Sequence, residues 1–114
     1  MEYTQRLEEL ATKRQELAVR YATSRFAYGK AKAEIDIIYA SKIKKINEVK
    51  KNAGYETGLL ILMSTEVYLR EPYKEMITQL NNYKALERII DAHESEIMSI
   101  QSILRWNRSN DGGG

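Results

Sequence analysis

Between Met1 and Asp111 the chain has a single proline, Pro72, and three glycines, Gly29, Gly54 and Gly58; its other three glycines are the last three residues. A backbone so poor in turn formers makes few turns. That argues against a many-stranded sheet and selects long helices. Residues 2–51 hold no proline and one glycine, and helix formers dominate. Their apolar positions recur at threes and fours: Leu7, Leu10, Leu17, Tyr21, Tyr28, Ala31, Ile35, Ile38, Ile46 and Val49. At about 100° per residue these form one stripe. As one helix the segment is about 75 Å long. Gly29 is the expected place for a bend, although one glycine costs only about 1 kcal/mol relative to alanine.

Asn52-Ala53-Gly54 is the natural stop, with Lys50 and Lys51 in the last turn and Gly54 as the left-handed cap. A short apolar helix over about 56–70 is expected next, built on GLLILMSTEVYL. Pro72 ends or kinks it and suits the first turn of the following helix. From Tyr73 to Trp106 the pattern is heptad. Met76, Tyr83, Ile90, Ile97 and Leu104 are seven apart, with Leu86, His93 and Ile100 as the second seam. Four consecutive heptads signal a long helix in a coiled-coil-like contact. The expected fold is all-α: an elongated helical hairpin or coiled-coil-like bundle, two long helices (about 2–51 and 72–106) with a short apolar helix between them. Residues 1–106 make one domain, and 107–114 are expected to be a disordered tail.

The first helix carries a second apolar face: Val19, Ala22, Phe26, Ala33, Ile37 and Ala40. A lone hairpin buries one face of each helix, so this one needs the short helix or another copy of the chain. A homo-oligomer, most simply a dimer, is expected.

Net charge is +2, unevenly spread. Residues 1–51 hold 12 Lys/Arg against 7 Asp/Glu; residues 52–114 hold 6 against 9. Complementarity between paired helices explains this, and so does a basic surface for a polyanion. The chain has no cysteine, hence no disulfide or thiolate chemistry, which suits a reducing cytoplasm. MEYTQRLEEL shows no signal-peptide pattern, and the longest apolar run, Leu59 to Met63, is too short to span a bilayer.

Reactive groups are sparse. His93 is the one histidine, and no Gly-rich phosphate loop is present. His93-Glu94 begins an H-E-x-x-H zinc motif, but Ile97 stands where the second histidine belongs. Ile90 likewise breaks an E-x-x-H di-iron pair. On the apolar seam His93 reads as a hydrogen-bonded core histidine that sets register. Glu87, Asp91 and Glu94 read as a solvated face or as partners for bases on the first helix. No enzyme, metal or cofactor is expected.

RYATSRFAYGKAK, residues 20–32, interleaves aromatics with Arg20, Arg25, Lys30 and Lys32. Rings and cations together serve single-strand nucleic-acid binding. On a helical wheel, however, Tyr21 and Tyr28 lie on the main stripe with Arg25 and Lys32 beside them, while Phe26 lies on the second face. Packing is the preferred reading, with Arg25 and Lys32 reaching acids of the returning helix. The nucleic-acid reading draws support from Lys44, Lys45, Lys50 and Lys51, which cannot all be paired. It also draws on Arg105, Trp106 and Arg108, which an antiparallel return brings toward Arg6, Lys13 and Arg14. No zinc finger, RNP sequence or clear helix-turn-helix supports sequence-specific binding.

NAGYETGLLILM (52–63) and YKALERIIDAHESEIMSIQSILRWNR (83–108) resemble small helical proteins of bacteriophages and prophages of Gram-positive bacteria, some encoded near replication and recombination genes. The resemblance implies a phage accessory protein acting by binding in the host cytoplasm. Its expected target is a host protein or defence complex such as a CRISPR effector. Nucleic acid, in recombination or replication, is the alternative, and a structural assembly factor a third. The candidate binding surface is Arg25, Lys32, Lys44, Lys45, Lys50, Lys51, Arg105, Trp106 and Arg108, since Trp, Tyr and Arg dominate interfaces.

Overall fold

The computed structural model describes the backbone of residues 2–113 and the side chains of residues 2–109. Among the described residues the chain is all-α. It consists of α1 (Glu2–Val49), α2 (Tyr55–Thr65), a 3₁₀ turn at Val67–Leu69 and α3 (Arg70–Gly113).

α1 runs through Gly29 as one continuous helix. One glycine among Ala27, Lys30, Ala31 and Ala33 costs too little to interrupt a helix whose neighbours all favour it. The stop comes at Val49, and the left-handed residue is Asn52 (φ 57°), not Gly54, which is extended at φ −65° and ψ 166°. Asparagine is among the few side chains that adopt this conformation readily.

α2 ends at Thr65, well before Pro72. The hydroxyls of Ser64 and Thr65 donate to the carbonyls of Ile61 (2.6 Å) and Leu62 (3.1 Å), bonds that compete with helix continuation. Glu66 then leaves helical geometry (φ −100°, ψ 73°). Arg70 Nε donates to the Met63 carbonyl, in the last turn of α2, at 3.3 Å. Pro72 sits in the first turn of α3, where its missing N–H is harmless. At the other end, α3 continues past Trp106 to Gly113.

The described residues fall into two compact units. One joins the segment up to Thr23 with the segment from Asn82 onward. The other is Ser24–Asn81. In the first, α1 contributes Leu10 and Leu17, each 1% exposed, and α3 contributes buried Tyr83, Leu86 and Ile100. Ile90, His93, Ile97 and Leu104 are half-buried on the same heptad seam. Rising positions on α1 meet falling positions on α3: Arg6 pairs with Glu96 at 2.9 Å, Arg14 with Glu94 at 2.8 Å, and Tyr21 donates to Glu87 at 2.9 Å. The two segments are therefore antiparallel. Tyr21 also meets Tyr83 edge to face, with centroids 6.0 Å apart.

The Ser24–Asn81 unit is built on Ala31, Ile35 and Ile46 of α1, Leu59, Leu62 and Met63 of α2, then Leu69 and Met76. Tyr28 packs against this cluster. Gly58 leaves room for the Tyr39 phenol between α2 and α1. A Cβ there would lie 2.8 Å from Cε2 of Tyr39.

Two expectations about apolar positions need restating. Val49, placed on the buried stripe, is exposed because it ends α1 beyond the last packed position, Ile46. The second face is bare: Val19, Ala22, Phe26, Ala33, Ile37 and Ala40 are all exposed, and neither α2 nor α3 covers them.

Candidate functional site

Of the nine candidate residues, six belong to the Ser24–Asn81 unit, and Arg105, Trp106 and Arg108 belong to the other. Lys44 and Lys45 are exposed near the C-terminal end of α1, and Lys50 and Lys51 in the turn after it. None of these four has an ion-pair partner among the described residues. The nearby Lys42 does, meeting Glu66 at 3.4 Å across to the end of α2. A groove of about 330 Å³ between α1 and α2 is lined by Lys45, Ile46, Val49, Ile61 and Leu62 together with the charged Lys42, Glu48 and Glu66. One lysine without an ion pair among the described residues, Lys45, thus lines a groove that also carries the acids Glu48 and Glu66.

Lys32 is different. Its ammonium meets Asp36, one turn on in the same helix, at 2.5 Å, and lies 5.5 Å from the Tyr55 ring centroid. The acids of the returning helix were the expected partners of Lys32; its ion pair among the described residues is instead with Asp36, which faces it at i+4. Tyr55 of α2 donates to the other Asp36 oxygen at 2.5 Å and packs against Tyr39 with ring centroids 5.2 Å apart. Burial pushes the Asp36 carboxyl up, but the Lys32 and Tyr55 hydrogen bonds outweigh it and hold it below the ordinary carboxylate range. Burial, then the bond to Asp36, pushes the Tyr55 phenol upward. The Asp36 hydrogen bond raises Lys32 despite desolvation. Lys32 therefore serves to dock α2 on α1, and Asp36, Tyr39, Tyr55 and Gly58 belong to that network. The sequence held one signal for it, the Lys32/Asp36 spacing.

Arg25 is exposed on α1. Arg105, Trp106 and Arg108 are exposed on α3, with Trp106 at 66%. The basic neighbours expected for them are engaged elsewhere: Arg6 with Glu96, Arg14 with Glu94, and Lys13 with Glu16 at 3.6 Å. Arg105 lies nine residues, about 13 Å of helix, beyond Glu96. Lys13 and Arg14 sit well short of it. In the opening aromatic-basic stretch, Tyr21 and Tyr28 are packed, while Phe26 is 75% exposed.

His93 lies on the seam, but its buried Nδ1 has no hydrogen-bond partner among the described residues. It does not act there as a satisfied core histidine. Its seam neighbours Ile90 and Ile97 offer no polar group.

No protein-family model matches the chain, and neither the curated proteins nor the solved structures compared with it show a significant similarity. Among the described residues, no group of three or more His, Cys, Asp or Glu side chains is placed to hold a metal ion. No described helix is long and apolar enough to cross a membrane.

Proposed function

We propose that this chain is a non-catalytic binding protein of a phage or mobile element, built on a coiled-coil-like helical hairpin, whose target is a host protein or defence complex such as a CRISPR effector. The observation that carries the binding reading is the end of α1. Val49, 68% exposed, and Lys45 line a groove floored by Ile46, Ile61 and Leu62. Lys44, Lys50 and Lys51, which like Lys45 have no ion pair among the described residues, lie near it in sequence. Exposed apolar side chains ringed by charge are the composition of a protein interface, with an apolar centre and a polar rim. The phage context rests on the resemblance of residues 52–63 and 83–108. The same four lysines favour a second reading, a nucleic-acid accessory protein, through phosphate neutralisation.

Two measurements separate these readings. Labelled single- and double-stranded nucleic acid is titrated with the protein across a range of salt. A photoreactive residue in place of Lys45 is then used to cross-link in host extract, and captured proteins are identified. The protein reading expects no nucleic-acid binding at physiological salt, and one dominant cross-linked protein that V49D abolishes. Micromolar nucleic-acid binding that falls steeply with salt and is lost in K44E/K45E overturns it in favour of the second reading.

A further inference from the structure

The bare face of α1 has an internal order that goes beyond the binding surface above. Within the Ser24–Asn81 unit it consists of Phe26, Gly29, Ala33, Ile37 and Ala40, all exposed, with Phe26 at 75% and Ile37 at 69%. At about 100° per residue these five fall within an arc of about 80° and span about 21 Å of helix. Their sizes alternate about Ala33. Phe26 and Ala40 lie seven residues to either side of it, and Gly29 and Ile37 four to either side. In each pair one side chain is large and the other small or absent. Phe26 and Ile37 lie toward one edge of the arc, Gly29 and Ala40 toward the other.

We propose that this face pairs with the same face of a second copy of the chain, antiparallel, about a two-fold axis at Ala33. Antiparallel helices related by such an axis set residues equidistant from it side by side, one from each edge. Phe26 of one copy then faces Ala40 of the other, Ile37 faces Gly29, and Ala33 faces its own equivalent. Every layer holds one large and one small group, or two alanines, so the helices approach closely without overlap.

Charge agrees with this geometry. Lys30 and Glu34 lie along the edge beyond Ile37, exposed and without ion pairs among the described residues. A two-fold axis brings each edge against its own equivalent. Lys30 of one copy therefore meets Glu34 of the other, twice over. A parallel pairing would set Phe26 against Phe26 and Gly29 against Gly29, one crowded layer and one empty.

Gly29 supplies an independent argument. Mid-helix glycine costs about 0.5–1 kcal/mol against alanine. Apart from its two chain neighbours and the adjoining backbone of α1, no atom of the described residues lies within 4 Å of where a Cβ would stand. No intramolecular contact accounts for the missing side chain, whereas the facing Ile37 of a second copy does. The stripe is short, so the dimer belongs with small interfaces that exchange at micromolar concentrations.

The test uses the full chain, whose lack of cysteine permits single-cysteine variants. Sedimentation equilibrium over a concentration series should show the mass rising from 13.2 kDa toward twice that value. A33E, at an exposed helix position, should keep its helicity and stay monomeric. Under mild oxidation A33C should form a disulfide dimer, F26C alone should not, and F26C mixed with A40C should give the heterodimer. A wild-type chain monomeric throughout, an A33E variant that still dimerises, or F26C cross-linking to itself as readily as A33C would overturn the proposal.

Discussion

Replacing Gly58 by alanine tests how tightly α2 is docked on α1. In an ordinary helix the change stabilises by about 0.5–1 kcal/mol, through backbone entropy and propensity. Here the new methyl would stand 2.8 Å from Cε2 and 3.0 Å from Cζ of Tyr39. The phenol must swing away and lose its contact with Tyr55, an overpacking cost of about 1–3 kcal/mol. The net expectation is destabilisation by about 0.5–2 kcal/mol. A second background makes the reasoning sharp. In Tyr39→Ala the obstructing ring is gone, so Gly58→Ala should there become stabilising by about 0.5–1 kcal/mol. Urea unfolding of all four chains, followed by far-UV circular dichroism, yields the coupling between the two sites, expected at about 1–3 kcal/mol. If Gly58→Ala shifts the midpoint equally in both backgrounds, the approach of α2 to Tyr39 is not what Gly58 is for.

Three further outcomes follow from the structure. His93→Leu should stabilise the chain by about 1 kcal/mol in the same urea assay, because it removes a buried unpaired nitrogen from an apolar seam; destabilisation would show that Nδ1 is satisfied after all. Leu17→Ala, at a side chain 1% exposed, should cost about 2–5 kcal/mol, and a loss under 1 kcal/mol in thermal unfolding would contradict its burial. Asp36 titrates below its ordinary range in the folded chain, so its stabilising contribution is present at neutral pH and lost as pH falls through that lowered value. Asp36→Asn should therefore be less stable than the parent at pH 7 by about 0.5 kcal/mol, discounted for its exposure, and the gap should close in acid; a gap independent of pH would exclude the ion pair as its source.

Much of this architecture was legible because helix periodicity is local. The heptad from Met76 to Leu104 and the stripe through Leu10, Leu17, Ile35 and Ile46 named the buried positions directly. Exposure of the second face was legible too, since a helix paired along one stripe leaves its far side bare. Helix ends were harder. The stop of α2 depends on hydroxyl-to-carbonyl bonds at Ser64 and Thr65, and Asn52 took the left-handed position that Gly54 also suited. The candidate surface was least legible. Whether a lysine is spare depends on what folds against it. Lys32 has Asp36 one turn on in its own helix but meets Tyr55 only once α2 returns to α1, whereas Lys44 and Lys45 have no ion pair among the described residues.

The division of the described residues also sets an order of events in folding. The Ser24–Asn81 unit is continuous in sequence, and its Asp36–Tyr55 bond closes a separation of 19 residues. The other unit is assembled from two remote segments, and its Arg6–Glu96 pair closes a separation of 90. Loop-closure entropy grows as the logarithm of length, so the longer closure starts at a disadvantage of about 1.4 kcal/mol. The central segment should nucleate first, and the two ends should zip afterwards from a chain already turned back on itself. Mutations at Ile35 or Leu62 should then slow folding, while those at Leu10 or Ile100 should chiefly hasten unfolding.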